Sequence, residues 1–167
     1  MSVLESNNSR GSTMKPRIPP PIVTLIAAAL MWALHRWAPM SVCFTAPWNL
    51  LGVLPALAGI ATAAAAVRRF RRAQTTTNPL NPSKASHLVT DGVFRFSRNP
   101  MYLGLTLFLT GWAIWLGTAS PWFIVPLFVI FITVAQIRPE EQALGQIFGE
   151  EYADYRRHVS RWIGRAS

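Results

Sequence analysis

Charge is scarce in this 167-residue chain, and acid is scarcer than base. Charged residues make up 14%, with 16 Lys and Arg against 7 Asp and Glu. A water-soluble domain carries about a quarter charged residues, so the soluble globular class is excluded. The single cysteine, Cys43, rules out an internal disulfide framework and reads as a small apolar residue near a helix end. The three histidines, His35, His87 and His158, are scattered without metal-ligand spacing, so no metal site is expected. No glycine-rich loop follows a strand pattern, which excludes a soluble dinucleotide-type site. The formal charge of +9 could suit nucleic acid. The basic residues, however, flank apolar runs and no recognition motif accompanies them, so anionic lipid headgroups are the better partner.

What the chain has in quantity is apolar residues, 51% of the total, gathered into separate blocks. This pattern predicts an all-α integral membrane helical bundle of about four transmembrane helices, followed by a C-terminal amphipathic surface helix. Residues 1–19 are polar and read as a disordered tail. The first span covers residues 20–37, with prolines at its start where a missing N–H costs little. It ends in HRWAP instead of a small-residue cleavage site, so it is expected to be retained. The second span, residues 46–67, is rich in alanine and carries Gly52 and Gly59, which suits a helix packed inside the bundle. Pro55 predicts a kink there, and RRFRR at 68–72 a sharp stop. Residues 73–99 form a long connection with Pro79, Pro82 and an Asp91-Gly92 turn signal; loops of this length are uncommon unless functional. Spans at 101–116 and 121–137 make a helical hairpin. Beyond it Leu144, Ile147, Phe148, Tyr152, Tyr155 and Val159 recur at helical spacing among charges, as in a surface helix that covers something.

Orientation follows from where the cations fall. Of the 16 Lys and Arg, 15 lie in the N-terminal tail, RRFRR with the long connection after it, and the C-terminal segment. Four spans put those three on one side, which the positive-inside rule makes the cytoplasm. Five of the seven tryptophans (Trp37, Trp48, Trp112, Trp115, Trp122) fall at the opposite interface. The expected location is a bacterial inner (cytoplasmic) membrane, with both termini cytoplasmic.

Two segments share that face: LVTDGVFRFSRNPMY at 88–102 and PEEQALGQIFGEEYADY at 139–155. The hairpin brings their ends together, so Arg98, Asn99 and Tyr102 should lie near Gln136, Arg138, Glu140 and Glu141. Acid, base, amide and phenol at headgroup level can bind a zwitterionic ligand. On composition alone, interfacial anchoring by snorkelling Arg and Tyr explains the same residues.

G-V-F-R-F-S-R-N-P-M-Y-L-G, followed some forty residues later by P-E-E-x-x-L-x-x-x-F-G-x-x-Y-x-x-Y, resembles the isoprenylcysteine carboxyl methyltransferase and phospholipid methyltransferase superfamily. The resemblance covers about half the chain, roughly 75–163, and makes 73–167 a methyltransferase-like core behind the two helices of 20–72. It implies an integral-membrane enzyme that uses S-adenosylmethionine as cofactor. The segment matching His87, Leu88 and Val89 would run along the cofactor through backbone groups, and the position of Phe94 is usually a Tyr that packs on it. Arg98, Asn99, Pro100, Met101 and Tyr102 match the R-H-P-x-Y motif, with Asn99 in place of His, a form common in bacterial relatives. Glu140 resembles the acidic cofactor contact.

One departure bears on the substrate. The family's prenylcysteine enzymes carry an Arg four residues before that Glu, associated with the substrate carboxylate; here the position is Gln136. An amide cannot act as a charged bidentate clamp, and Arg138, two residues on, points to another side of the helix. Amine, thiol or other lipophilic acceptors therefore stay open, with Gln136 and Arg138 as the substrate candidates. Arg98, Tyr102 and Glu141 are the catalytic candidates, Glu141 or Tyr102 as base if the acceptor arrives protonated. The expected function is methyl transfer from S-adenosylmethionine to a lipophilic acceptor. The alternative is a non-enzymatic membrane scaffold that keeps the fold. A transporter lacks the buried ionisable residues and inverted repeats such proteins use.

Overall fold

A computed structural model describes residues 18–72 and 88–164. Residues 1–17 of the expected tail and 73–87 of the expected connection, His87 among them, lie outside the described residues. The described chain is helical, with one isolated antiparallel bridge between Val42 and Thr118. Helix α1 is Pro20–Trp37, α2 Val53–Arg72, α3 Pro100–Leu116, α4 Ile124–Ile132 and α5 Arg138–His158. Short 3-10 turns at Trp48–Gly52, Gly92–Arg95 and Ser120–Phe123 lead into or between them.

Among the described residues, two helical runs are long and apolar enough to cross a membrane: Trp48–Arg72 and Ser120–His158. Helix α3 is apolar but shorter, and α1 has 18 residues. Of the about four spans expected, two are thus supported by length and composition. Leu25, Ile26, Leu54, Leu57, Leu127 and Ile130 stand exposed on the outside of the bundle, a surface suited to hydrocarbon and not to water.

Helix α3 is the centre, with α1 and α2 packed on it. In lipid, helices gain little from burying apolar surface and associate by close van der Waals contact. Glycines supply that contact here. A Cβ on Gly59 would meet the Gly104 carbonyl oxygen at 2.3 Å, and one on Gly52 would meet that of Gly111 at 2.4 Å. The two pairs sit two helical turns apart on antiparallel helices, so any side chain at these positions would push the backbones apart. Only Gly59 and Ala66 of α2 are buried. The expectation that α2 lies inside the bundle is thus corrected: one small-residue stripe is inside, and the rest of the helix faces out. Pro55 falls in the first turn of α2, just after the run changes from the 3-10 turn Trp48–Gly52 to α-helix. RRFRR continues the helix to Arg72 instead of stopping it.

The fourth apolar run and the C-terminal helix are continuous, from Ser120 to His158. Pro139 would normally break such a helix, since it lacks an N–H and its ring crowds the preceding turn. A π-helical turn at Thr133–Ile137 absorbs it, with the Arg138 N–H reaching Thr133 O five residues back. The chain bends instead at Gly149, where φ is +51°, a value that favours glycine. Past that break Tyr152 and Tyr155 turn inward and pack with Ala66, Phe94 and Val159 in a second core cluster.

Candidate functional site

The site lies where α3 begins and α5 leaves the π turn. Pro100 is buried at the first position of α3 and fixes where the helix starts. Two residues on, the buried Tyr102 hydroxyl donates to Glu140 Oε1 at 2.6 Å. The neighbouring Glu141 faces the other way, into a pair of guanidinium groups. Arg161 approaches it with both ends of its fork: Nε lies 3.1 and 3.2 Å from the two carboxylate oxygens and Nη2 2.7 Å from Oε2. This contact pushes the Arg161 pKa above its ordinary value, chiefly through the hydrogen bonds to Glu141. Arg98 Nη1 stands 3.4 Å from Glu141 Oε1.

The side chains of Arg98 and Glu141 are only 9% and 8% exposed, and that number decides their meaning. A buried guanidinium is costly unless its donors are met. Yet Arg98 Nε and Nη1 have no hydrogen-bond acceptor among the described residues. Glu141 alone faces both guanidinium groups, and Arg98 keeps donors without an acceptor among the described residues. Such a cluster can take an anionic group.

A strap from Val159 to Gly164 holds this arrangement closed. Arg98 N–H donates to Ser160 O at 3.1 Å, and Gly164 N–H donates to Phe96 O at 2.9 Å. Ser97 Oγ and Asn99 Nδ2 both donate to Arg161 O, at 3.4 and 3.2 Å. The residues after α5 are thereby stitched onto the loop before α3, and Trp162 packs against the main core. Arg161 was not singled out from the sequence. It follows the end of a helix, so no periodicity points to it; the only sign was one more cation near a membrane boundary.

The remaining candidates fall in distinct places. Leu88, Val89 and Met101 pack against the second cluster. Phe94 is buried there, edge-on to Phe70 with ring centroids 5.1 Å apart, and its carbonyl accepts from the Tyr155 hydroxyl at 2.6 Å. Asn99 precedes α3 without capping it and ties down the strap instead. Gln136 is buried: its Nε2 donates to Ile18 O at 2.8 Å, while Oε1 has no partner among the described residues. Arg138 is exposed, apart from the buried cluster that Glu141 forms. Among the described residues no group of His, Cys, Asp and Glu could hold a metal ion.

The architecture is thus a helical bundle with apolar walls and a cluster of carboxylate, phenol and guanidinium at one end. Residues 47–151 match the family model described as phospholipid methyltransferase. The chain belongs to that family of membrane methyltransferases. A protein of Haemophilus influenzae, described only as uncharacterized, is 43% identical over 63 residues, which are 38% of this chain and the whole of that protein. The protein-S-isoprenylcysteine O-methyltransferase of Schizosaccharomyces pombe is 32% identical over 76 residues, 46% of this chain. The match spans only 32% of that yeast enzyme's length. No solved structure matches the chain.

Proposed function

We propose that this protein is a membrane-embedded methyltransferase that moves a methyl group from S-adenosylmethionine to a lipophilic acceptor at the cytoplasmic face of a bacterial inner membrane. The observation that carries the reading is the convergence, in a member of this family, of Tyr102–Glu140 and Arg98–Glu141–Arg161 at one end of the bundle. When bound, the cofactor would supply a methyl on a cationic sulfur, open to attack by a lone pair of the acceptor with the neutral thioether as leaving group.

The residues suit that cofactor. The buried Nε and Nη1 donors of Arg98, which lack a hydrogen-bond acceptor among the described residues, would meet its carboxylate. Glu140, oriented by Tyr102, would hold its ammonium. The methyl donor is reactive by itself, so positioning and exclusion of water are the main tasks of the site. Arg161 then has a positioning role: it fixes the Glu141 carboxylate, which in turn sets the Arg98 guanidinium. Four spans with both termini cytoplasmic remain the arrangement that the cation distribution favours. Gln136 in place of a guanidinium favours acceptors other than a free carboxylate.

Calorimetry with S-adenosylmethionine on the detergent-purified protein tests the reading. Saturable binding is expected, and Glu140→Ala should abolish it while the protein stays folded. Unchanged affinity in that variant, or no binding even in lipid nanodiscs, would put the non-enzymatic scaffold ahead.

A further inference from the structure

Helices α1 and α2 both pack on α3 but scarcely touch each other. They leave between them a furrow of about 330 Å³, walled by Leu25 of α1 and Ile60 and Ala63 of α2. Its floor is Gly104, Leu105 and Phe108 of α3. The one hydroxyl on its wall, Thr24, is buried and donates back to Pro20 O at 3.0 Å, so the furrow presents hydrocarbon alone. Its volume is near the lower end for small-molecule sites. It opens sideways, where Leu25 is 68% and Ile60 54% exposed.

The ends of the furrow differ. Away from the site, Trp112 Nε1 donates to Ala28 O at 3.2 Å and closes α1 onto α3. Toward the site the floor leads to Tyr102, one helical turn from Leu105 on the same face. Pro21, which lines this end, stands three residues from Ile18, whose carbonyl holds Gln136. A chain lying in the furrow would thus end beside Tyr102 and Gln136, at the boundary between the apolar walls and the charged cluster.

We infer that the furrow between α1 and α2 holds one hydrocarbon chain of the lipid acceptor and so sets the reacting headgroup at the Tyr102 end. The inference rests on the methyltransferase reading. It makes α1 and α2 part of the specificity machinery. A lipid that enters sideways from the bilayer needs no passage through the charged end.

The test uses the full chain in choline-phospholipid nanodiscs with three tracers, each bearing a diazirine in its hydrocarbon chain. They are an amine-headgroup phospholipid, an isoprenylcysteine, and a choline phospholipid whose quaternary nitrogen has no lone pair to methylate. The inference expects at least one of the first two to label Leu25, Leu105 or Phe108 at least about fivefold more than the choline tracer does. Excess unlabelled compound should suppress that labelling. Leu25→Trp and Ile60→Trp, both at exposed positions that tolerate bulk, should reduce it to the choline level. Equal labelling by all three tracers would mean that ordinary bilayer lipid fills the furrow, and would overturn the inference. So would labelling no stronger than at Leu54 and Leu57, on the outer face of α2. Calorimetry with S-adenosylmethionine on the same preparation separates the two claims. Cofactor binding with unselective labelling defeats the furrow alone, whereas selective labelling without cofactor binding defeats the methyltransferase reading.

Discussion

The two ends of the bundle are both rich in polar contacts, yet they are built from different chemistry. At the end where α1 and α3 finish, His35 Nδ1 lies 3.0 Å from Thr118 Oγ1 and Ser120 Oγ donates to Leu34 O at 3.4 Å. The Cys43 and Phe44 N–H groups donate to Gly117 O at 2.8 and 3.0 Å. Among the described residues no carboxylate and no buried guanidinium enters this network. Such bonds tie loop to helix at little desolvation cost. At the other end Arg98 and Glu141 are buried charges, and the pair is completed by a residue delivered from the end of the described chain. Polar content by itself does not mark a site. Buried charge with unmet donors does, because stability alone would have selected against it.

That contrast can be broken by substitution. Glu141→Ala should have the largest effect, since it leaves Arg98 buried without its carboxylate. A loss of about 3–5 kcal/mol is expected for removing one partner of a buried pair, read as a fall in the unfolding midpoint in detergent. Cofactor binding should be lost with it. Tyr102→Phe removes the 2.6 Å bond to Glu140 but leaves the ring in the core. Cofactor affinity should fall by about 10- to 100-fold, the worth of a hydrogen bond to a charged group, with little change in unfolding temperature. If stability falls and affinity does not, Tyr102 is a core residue only.

Asn99→Ala should cost about 1 kcal/mol by removing one of the two donors to the Arg161 carbonyl. Hydrogen exchange should then quicken at 160–164, and an unchanged exchange pattern would show that the strap holds without it. The smallest effect is expected at the far end. Thr118→Val should cost about 0.5–1.5 kcal/mol through the lost contact with His35 and leave cofactor affinity where it was. A change in affinity from that distance would end the division of the bundle into a binding end and a holding end.

Much of this was legible in the chain. The bounds expected for the first and third helices, 20–37 and 101–116, match α1 and nearly match α3, because prolines and an apolar-to-polar change mark their starts and stops. The two motifs that carry the resemblance fall within α3, α5 and the turns beside them. The errors came where a local signal was overruled by packing. Pro139 marks a boundary in the sequence, but a π turn carries the helix across it. Gly52 and Gly59 suggest burial of the whole helix, whereas they bring close contact along one stripe only.

The sequence by itself determined that the chain is helical and apolar on its outside, because block length and proline position act locally. It also determined the family, because two motifs in order and spacing are specific without any coordinates. Only the tertiary structure decided what those residues face. Gln136 meets the carbonyl of a residue 118 positions away, and Asn99 that of a residue 62 away. The furrow exists only because α1 and α2 share a floor without sharing a wall. No local pattern encodes such facts, since each depends on where separate helices come to rest against one another.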